Sequence, residues 1–339
     1  MKDIARDLGV SVMTVSKALR HHTDISEKTR ARVLARAQKL GYQPNWIARS
    51  LVTQRTHMVG LVIPDLMHSF FAEVAKGVTQ KFQPLGYQIV ISNSDEDPEL
   101  EESQIQLLLA RRVDGLIVAS AYTNGKNPLF DSMHSRKVPY VLIDRMPTGL
   151  EANFVGVRND EIGEIATRHL IEQGCRRVAH IRGSDVSTAI GRINGYRHAL
   201  EKAGIEVRSD YIVSGQHEDA RGYAAMRQLL QLNPRPDGVF CFNDPVAAGA
   251  LKAILEAGLR VPADIAVVGV GNVHYSDQLR VPLTTVDQCS LATGERSAEM
   301  LAKCIHLDKS EKRSPVEAVY LPPSLVVRES SRRTSARSV

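Results

Sequence analysis

Several things are scarce in this sequence, and each scarcity closes a class of function. Aromatic residues make up 5% of the 339 positions and hydrophobic ones 43%, so the chain can bury an ordinary core with no aromatic-rich or disordered bias. Its four cysteines (Cys175, Cys241, Cys289, Cys304) are widely scattered, without a Cys-x-x-Cys or an adjacent histidine. That argues against a disulfide framework and a zinc site and leaves buried free thiols. No run approaches the roughly 18 apolar residues that span a bilayer, and the chain opens Met1-Lys2-Asp3 instead of on an apolar leader. A cytoplasmic location with no membrane partner is expected. Neither a Walker loop, a metal cluster nor a Ser/His/Asp order stands out, so no cofactor, no metal and no enzymatic activity are expected. The length points to two or three compact units.

What is present is unevenly placed. Residues 1 to 60 hold eleven Lys and Arg against four Asp and Glu, a net of +7, whereas the remainder holds 32 against 34, a net of −2. A compact basic head on a near-neutral body is the footprint of phosphate binding. Within the head, Ile4, Ala5 and Leu8 share one helical face, Gly9 closes that helix, and Ser11 can cap a second helix containing Val15, Ala18 and Leu19. Ser26 can cap a third, with Val33, Ala37 and Leu40 as its buried stripe and Gly41 as its end. The second helix turns Val12, Met13, Ser16, Lys17 and Arg20 outward. Apolar side chains at the exposed N-terminal end of a helix are unusual on a merely solvated face and suit contact with base edges.

The residues Asp3-Ile4-Ala5, Gly9-Val10-Ser11, Thr14-Val15-Ser16, Ile25-Ser26-x-x-Thr29-Arg30 and Leu40-Gly41-Tyr42-x-Pro44-Asn45 closely resemble the LacI/GalR family of repressors. The resemblance implies a helix-turn-helix head over 1–43 and a hinge over 44–57. It further implies DNA contacts from Ser11, Val12, Met13, Thr14, Ser16, Lys17, Ser26, Thr29, Arg30, Asn45, Ala48 and Leu51. Val12, Met13 and Lys17 are expected to read bases, and Ser16, Ser26, Thr29 and Arg30 to hold phosphates. Leu51 matches the apolar wedge that the family levers into the minor groove to kink the duplex. Family members carry a few residues before the first helix, including a hydroxyl cap that Met1 cannot supply, so the native start is expected slightly earlier.

Beyond the hinge, short apolar runs at Val59–Ile63, Gln88–Ile91, Gly115–Ala119, Tyr140–Ile143, Val178–Ile181, Gly238–Phe242 and Ile265–Val270 alternate with amphipathic segments. Such runs indicate parallel strands buried on both faces, hence doubly wound α/β sheets. By resemblance this is the two-lobed fold of periplasmic binding proteins. Its chain crosses between lobes near Val157, Leu283 and Tyr320, so the lobes are 58–157 with 286–319 and 158–285 with 320–330. A disordered tail is expected over 331–339, rich in Ser and Arg and without the leucine heptad that would build a tetramer.

In open α/β sheets ligands sit beyond the carboxyl ends of strands, which selects Asp65, Asp144, Asn243, Asp244 and Asn272. The resemblance adds Arg192, in Gly191-Arg192-x-x-Gly195-Tyr196, and places Phe70 and Phe71 at the cleft wall. It implies that Asp144, Arg192 and Asn243 hold hydroxyls or charged groups of a small-molecule effector, a sugar or related metabolite. Asp244 is as well placed to cap the following helix. Two departures bear on the ligand: Gly271 stands where sugar-responsive members carry an acidic residue, and Val186 where purine responders carry a second arginine. The first favours either fewer vicinal hydroxyls or a negative charge on the ligand. A homodimer on operator DNA is expected, by the two-fold symmetry of family hinges. Two rivals are weaker. A dehydrogenase would rest on Gly269-x-Gly271, but the third glycine is His274, and a periplasmic solute-binding protein would need a leader and no basic head.

Overall fold

A computed structural model describes residues 1–19, 22–42, 50, 55–125, 127–215, 218–306 and 315–333. Asn45, Ala48 and Leu51 therefore lie outside the described residues, as does Arg20. The chain divides into two compact units, Met1–Thr56 and His57–Val339.

The first unit contains helices α1 (Lys2–Leu8), α2 (Val12–Leu19) and α3 (Glu27–Lys39). Gly9 takes φ 63°, a left-handed turn that favours glycine, and its N–H closes α1 on the carbonyls of Ala5 and Arg6. Ser11 Oγ accepts from Thr14 N at 3.0 Å, and Ser26 Oγ accepts from Thr29 N at 3.3 Å, so both hydroxyl caps form. Ile4, Ala5, Val15, Ala18, Val33 and Ala37 make the core. Leu40 does not join them. It follows the last residue of α3 and is exposed, and Tyr42 packs against the core instead, with its N–H on Ala37 O. The Arg36 guanidinium reaches from α3 to Asp7 of α1 (Nε–Oδ2 2.8 Å).

The second unit holds two six-stranded sheets. In the first, β1 (Met58–Ile63), β2 (Gln88–Asn93), β3 (Gly115–Val118), β4 (Tyr140–Ile143), β5 (Phe154–Val157) and β11 (Ala318–Leu321) run parallel in the order β11-β5-β4-β3-β1-β2. The second comprises β6 (Val178–Arg182), β7 (Ile212–Ser214), β8 (Gly238–Cys241), β9 (Ala266–Val270), β10 (Thr284–Asp287) and β12 (Ser324–Val326), in the order β12-β10-β9-β8-β6-β7. Only β12, paired with β10, is antiparallel there. Separate apolar cores lie on the two sides of each sheet, which is why the central strands β1, β3, β4, β8 and β9 are apolar almost throughout. Helices α4 (Ser69–Phe82), α5 (Pro98–Ala110) and α6 (Pro128–Ser135) accompany the first sheet, together with α11 (Ser290–His306). Helices α7 (Asn159–Glu172), α8 (Ser187–Lys202), α9 (Asp219–Leu229) and α10 (Asp244–Glu256) accompany the second.

The crossings differ from expectation by a few residues. All of β10 belongs to the second sheet, so the second crossing follows Asp287 and not Leu283, and β11 ends at Leu321, so the third falls at Pro322 and Pro323. The expected disordered tail also begins too early. Ser330 and Ser331 are fully buried: Ser330 Oγ donates to Val267 O (2.7 Å), and Ser331 Oγ meets His169 Nε2 (2.7 Å). Arg333 then donates to the carbonyls of Pro262 and Asp237. The Ser330 hydroxyl and the Arg333 guanidinium satisfy backbone carbonyls and Ser331 bonds buried side chains, so a polar composition here makes a strap. Residues 334–339 lie outside the described residues.

Candidate functional site

Two surfaces carry the candidate residues, one on each unit. On the head, the N-terminal end of α2 presents Val12 and Met13, the latter 63% exposed, with exposed Ser11 beside them and Thr14, Ser16 and Lys17 partly so. The core takes Val15 and Ala18 from the opposite face, so helical periodicity alone leaves the outward set free for a partner. Lys17 is ion-paired with Asp24 in the loop before α3. An exposed pair is worth at most about 1 kcal/mol and exchanges easily for a stronger acceptor. Ser26 and Thr29 sit at the start of α3, where backbone N–H groups favour an anion.

Arg30 departs from the expected role. Its guanidinium is turned into the head, with Nη1 on Glu27 Oε2 (2.7 Å) and Nη2 on the carbonyls of His22 (3.0 Å) and Ile25 (3.3 Å). It clamps the α2–α3 loop instead of offering a free fork to phosphate. Arg30→Ala should destabilise the head by about 1–3 kcal/mol through stranded carbonyls, measured as a lowered unfolding midpoint of that unit. A midpoint unchanged beside weakened DNA binding would restore the phosphate role.

On the second unit, side chains from both lobes converge at the strand ends. From the first, Asp65 follows β1, its Oδ1 accepting from Met67 N (2.7 Å), and His68 caps α4, its Nδ1 accepting from Phe70 N (3.2 Å). Phe70 and Phe71 stand edge to face, 5.0 Å apart. Asp144 follows β4 at φ 60°, buried, 3.5 Å from Arg145 Nε, while the Arg145 fork grips both oxygens of Glu96. Burial pushes the Asp144 carboxyl above its ordinary range, against the pull of Arg145 and Arg192.

The second lobe contributes Thr188 and Arg192 from α8, Phe242, and Asn243, the N-cap of α10. Helices α7 and α8 pack through glycines: a Cβ on Gly195 would lie 2.0 Å from Asp160 O, and one on Gly163 2.1 Å from Arg192 O. That contact brings Asn159 against Arg192, whose Nε donates to Asn159 Oδ1 (3.0 Å). Arg192 Nη1 donates to Phe242 O (2.6 Å) and Nη2 to Gln288 Oε1 (2.8 Å), and the guanidinium lies 4.5 Å over the Phe242 ring. Burial draws its pKa down to about 10, opposed by Asp144. Among the contacts that bridge the lobes are Asn243 Nδ2 to His68 Nε2 (3.2 Å) and Met146 N to Ser187 Oγ (3.3 Å). The space enclosed is only about 30 Å³. That is room for a water or two, so anything larger needs the lobes to part or these side chains to turn.

Of the expected cleft residues, Asp65, Phe70, Phe71, Asp144, Arg192 and Asn243 line this space, and Asp244 and Asn272 do not. Asp244 is fully buried, accepting from Thr285 Oγ1, Ser276 Oγ and Val273 N. One position after the cap, α10 has already turned it toward the sheet. Asn272, at φ 49°, donates to Asp287 and accepts from Arg328, which knits the β9 end to the crossings. The cleft adds His68, Glu96, Arg145, Thr188, Phe242 and Gln288, which sequence reading missed. Thr188 had a signal, lying one helical turn before Arg192; Gln288 was hidden by the misplaced second crossing.

Residues 1–45 match the model for bacterial regulatory proteins of the lacI family, and residues 167–331 match that for a periplasmic binding protein-like domain. The chain is 33% identical over 335 residues to the HTH-type transcriptional repressor PurR of Mannheimia succiniciproducens, covering 98% of each. Among solved structures it is similar to the lac repressor dimer bound to operator and the anti-inducer ONPF. That likeness has TM-score 0.86 and 26% identity, over 97% of this chain and 98% of that one. It is similar also to a CelR–cellobiose complex, with TM-score 0.73 and 32% identity, over 96% and 98%. No helix among the described residues is long and apolar enough to cross a membrane. The chain belongs to the lacI family of bacterial regulatory proteins and is a DNA-binding transcriptional repressor, not an enzyme.

Proposed function

We propose that this repressor binds a pseudo-palindromic operator as a homodimer through the outward face of α2, and that a small molecule held between its lobes sets its affinity for DNA. The observation that carries the reading is the convergence of Asp65, Asp144, Arg192 and Asn243, from both sheets, on one cleft in a chain that also bears a basic helical head. A ligand touching both walls has a different free energy in the open and closed arrangements, which is what shifting a conformational equilibrium requires. Coupling between the cleft and DNA should amount to about 1–3 kcal/mol. Val12, Met13 and Lys17 read bases, while Ser16, Ser26 and Thr29 hold backbone. Asn45, Ala48 and Leu51 act at the minor groove.

The test is Arg192→Ala in the full chain. Its response to an effector found by thermal-shift screening should vanish, while the ligand-free affinity for operator stays nearly unchanged in fluorescence anisotropy. A normal response would refute the assignment of the cleft. Sedimentation should give a dimer.

A further inference from the structure

Arg192 is 2% exposed, and buried cations ordinarily have a carboxylate partner. Here its three hydrogen bonds go to neutral oxygens of Asn159, Phe242 and Gln288, and among the described residues no carboxylate stands within ion-pair distance. A guanidinium has five N–H donors, so two remain. One turn earlier, Thr188 is 1% exposed and lines the cavity, and its hydroxyl has no hydrogen bond among the described residues. They lie in the first and second turns of α8, a sixteen-residue helix whose N-cap, Val186, supplies no side-chain acceptor to the first-turn N–H groups. Those groups carry the positive end of the helix dipole. The opposite wall has the reverse character, with Asp65 and the buried Asp144 as acceptors. The neighbouring Arg145 is already neutralised by Glu96. No acidic side chain intrudes from position 271, where Gly271 has φ 134°.

Resting on the reading of this cleft as the effector site, we infer that the effector is a small hydroxylated acid. Its carboxylate or phosphate sits on Arg192, Thr188 and the first turn of α8, and its hydroxyls donate to Asp65 and Asp144. The anion supplies the direct ion-pair partner that Arg192 lacks, and the ring or carbon chain lies between Phe242 and the Phe70–Phe71 pair. Of the two ligand types left open by the missing acid at 271, this selects the charged one.

The experiment is a thermal-shift series on the full chain at constant ionic strength. The probes are inorganic phosphate, D-glucuronate, D-gluconate and D-glucose 6-phosphate, with D-glucose and adenine as uncharged comparators. A site a few-fold saturated should raise the midpoint by about 2–4 °C. Phosphate and at least one organic acid should do so, and the carboxylate and phosphate arms then distinguish the two anions. Thr188→Val, which removes an unbonded hydroxyl at nearly constant volume, should cut the shift by at least half, and Arg192→Gln should remove it. The inference is overturned by a phosphate shift that survives Thr188→Val, since that anion sits on the basic head, or by no shift with any anion. A shift confined to glucose or adenine overturns the anionic class yet keeps the cleft as the effector site.

Discussion

Deleting residues 1–56 is expected to abolish sequence-specific DNA binding while leaving the remaining chain folded and responsive to ligand. Met1–Thr56 and His57–Val339 are separate compact units, and the head core draws only on residues between Ile4 and Tyr42. Cutting between the units therefore strands no buried surface of the described cores. The excised piece carries the net charge of +7, and what remains is −2, so both base readout and the sequence-independent attraction to phosphate leave together. Specific complexes are typically 10³ to 10⁷ times tighter than non-specific ones. Anisotropy against a site selected from random DNA with the full chain should show a loss of at least about 10³-fold. The truncated chain should keep the ligand-induced thermal shift of the parent. Affinity retained within tenfold would place DNA recognition in the body and undo the division of labour.

Much of this architecture was legible because its physics is local. Six of the seven apolar runs were readable as strands since they are buried on both faces, the edge strand β2 being half-exposed, and Ser11, Ser26 and Gly9 cap where side-chain chemistry says they must. Five strands escaped. Residues 284–287 read Thr-Thr-Val-Asp, β7 and β12 have three residues each, β5 contains Gly156, and β11 alternates exposed with half-buried positions at a sheet edge. β7, β10 and β12 have no continuous apolar run, whereas β5 (Phe-Val-Gly-Val) and β11 (Ala-Val-Tyr-Leu) have one of four residues that was passed over. At the cleft, strand-end polar residues were found because topology places them there. Partners such as Glu96 for Arg145 and Gln288 for Arg192 are 49 and 96 positions apart, and only the folded chain pairs them. The inward partners of Arg30 were hidden for the same reason, since its acceptors include carbonyls of a loop whose path the sequence does not print.

The sharpest correction concerns Asp244, and it leads to the largest expected effect on stability. Its carboxylate lies beneath β9: a Cβ on Gly269 would come within 2.3 Å of Asp244 Oδ1. The Gly269-x-Gly271 pattern that imitated half of a dinucleotide fingerprint thus makes room for a buried acid. Oδ1 accepts from Thr285 Oγ1 at 2.6 Å, and Oδ2 accepts from Ser276 Oγ at 2.8 Å and Val273 N at 3.1 Å. Burial raises the carboxyl pKa, and these three donors pull it back down. Asp244→Ala leaves all three donors buried without an acceptor, at about 1–3 kcal/mol each and not fully additive, so a loss of about 3–5 kcal/mol is expected. For a lobe of this size that lowers the melting midpoint by on the order of 10 °C. Gly269→Ala should produce a comparable loss by driving a methyl group into the same carboxylate. Below the lowered midpoint, ligand affinity should stay within about threefold of the parent, because Asp244 faces the sheet and Asn243 faces the cleft. An Asp244→Ala protein that melts normally but no longer responds to ligand would return this residue to the effector site.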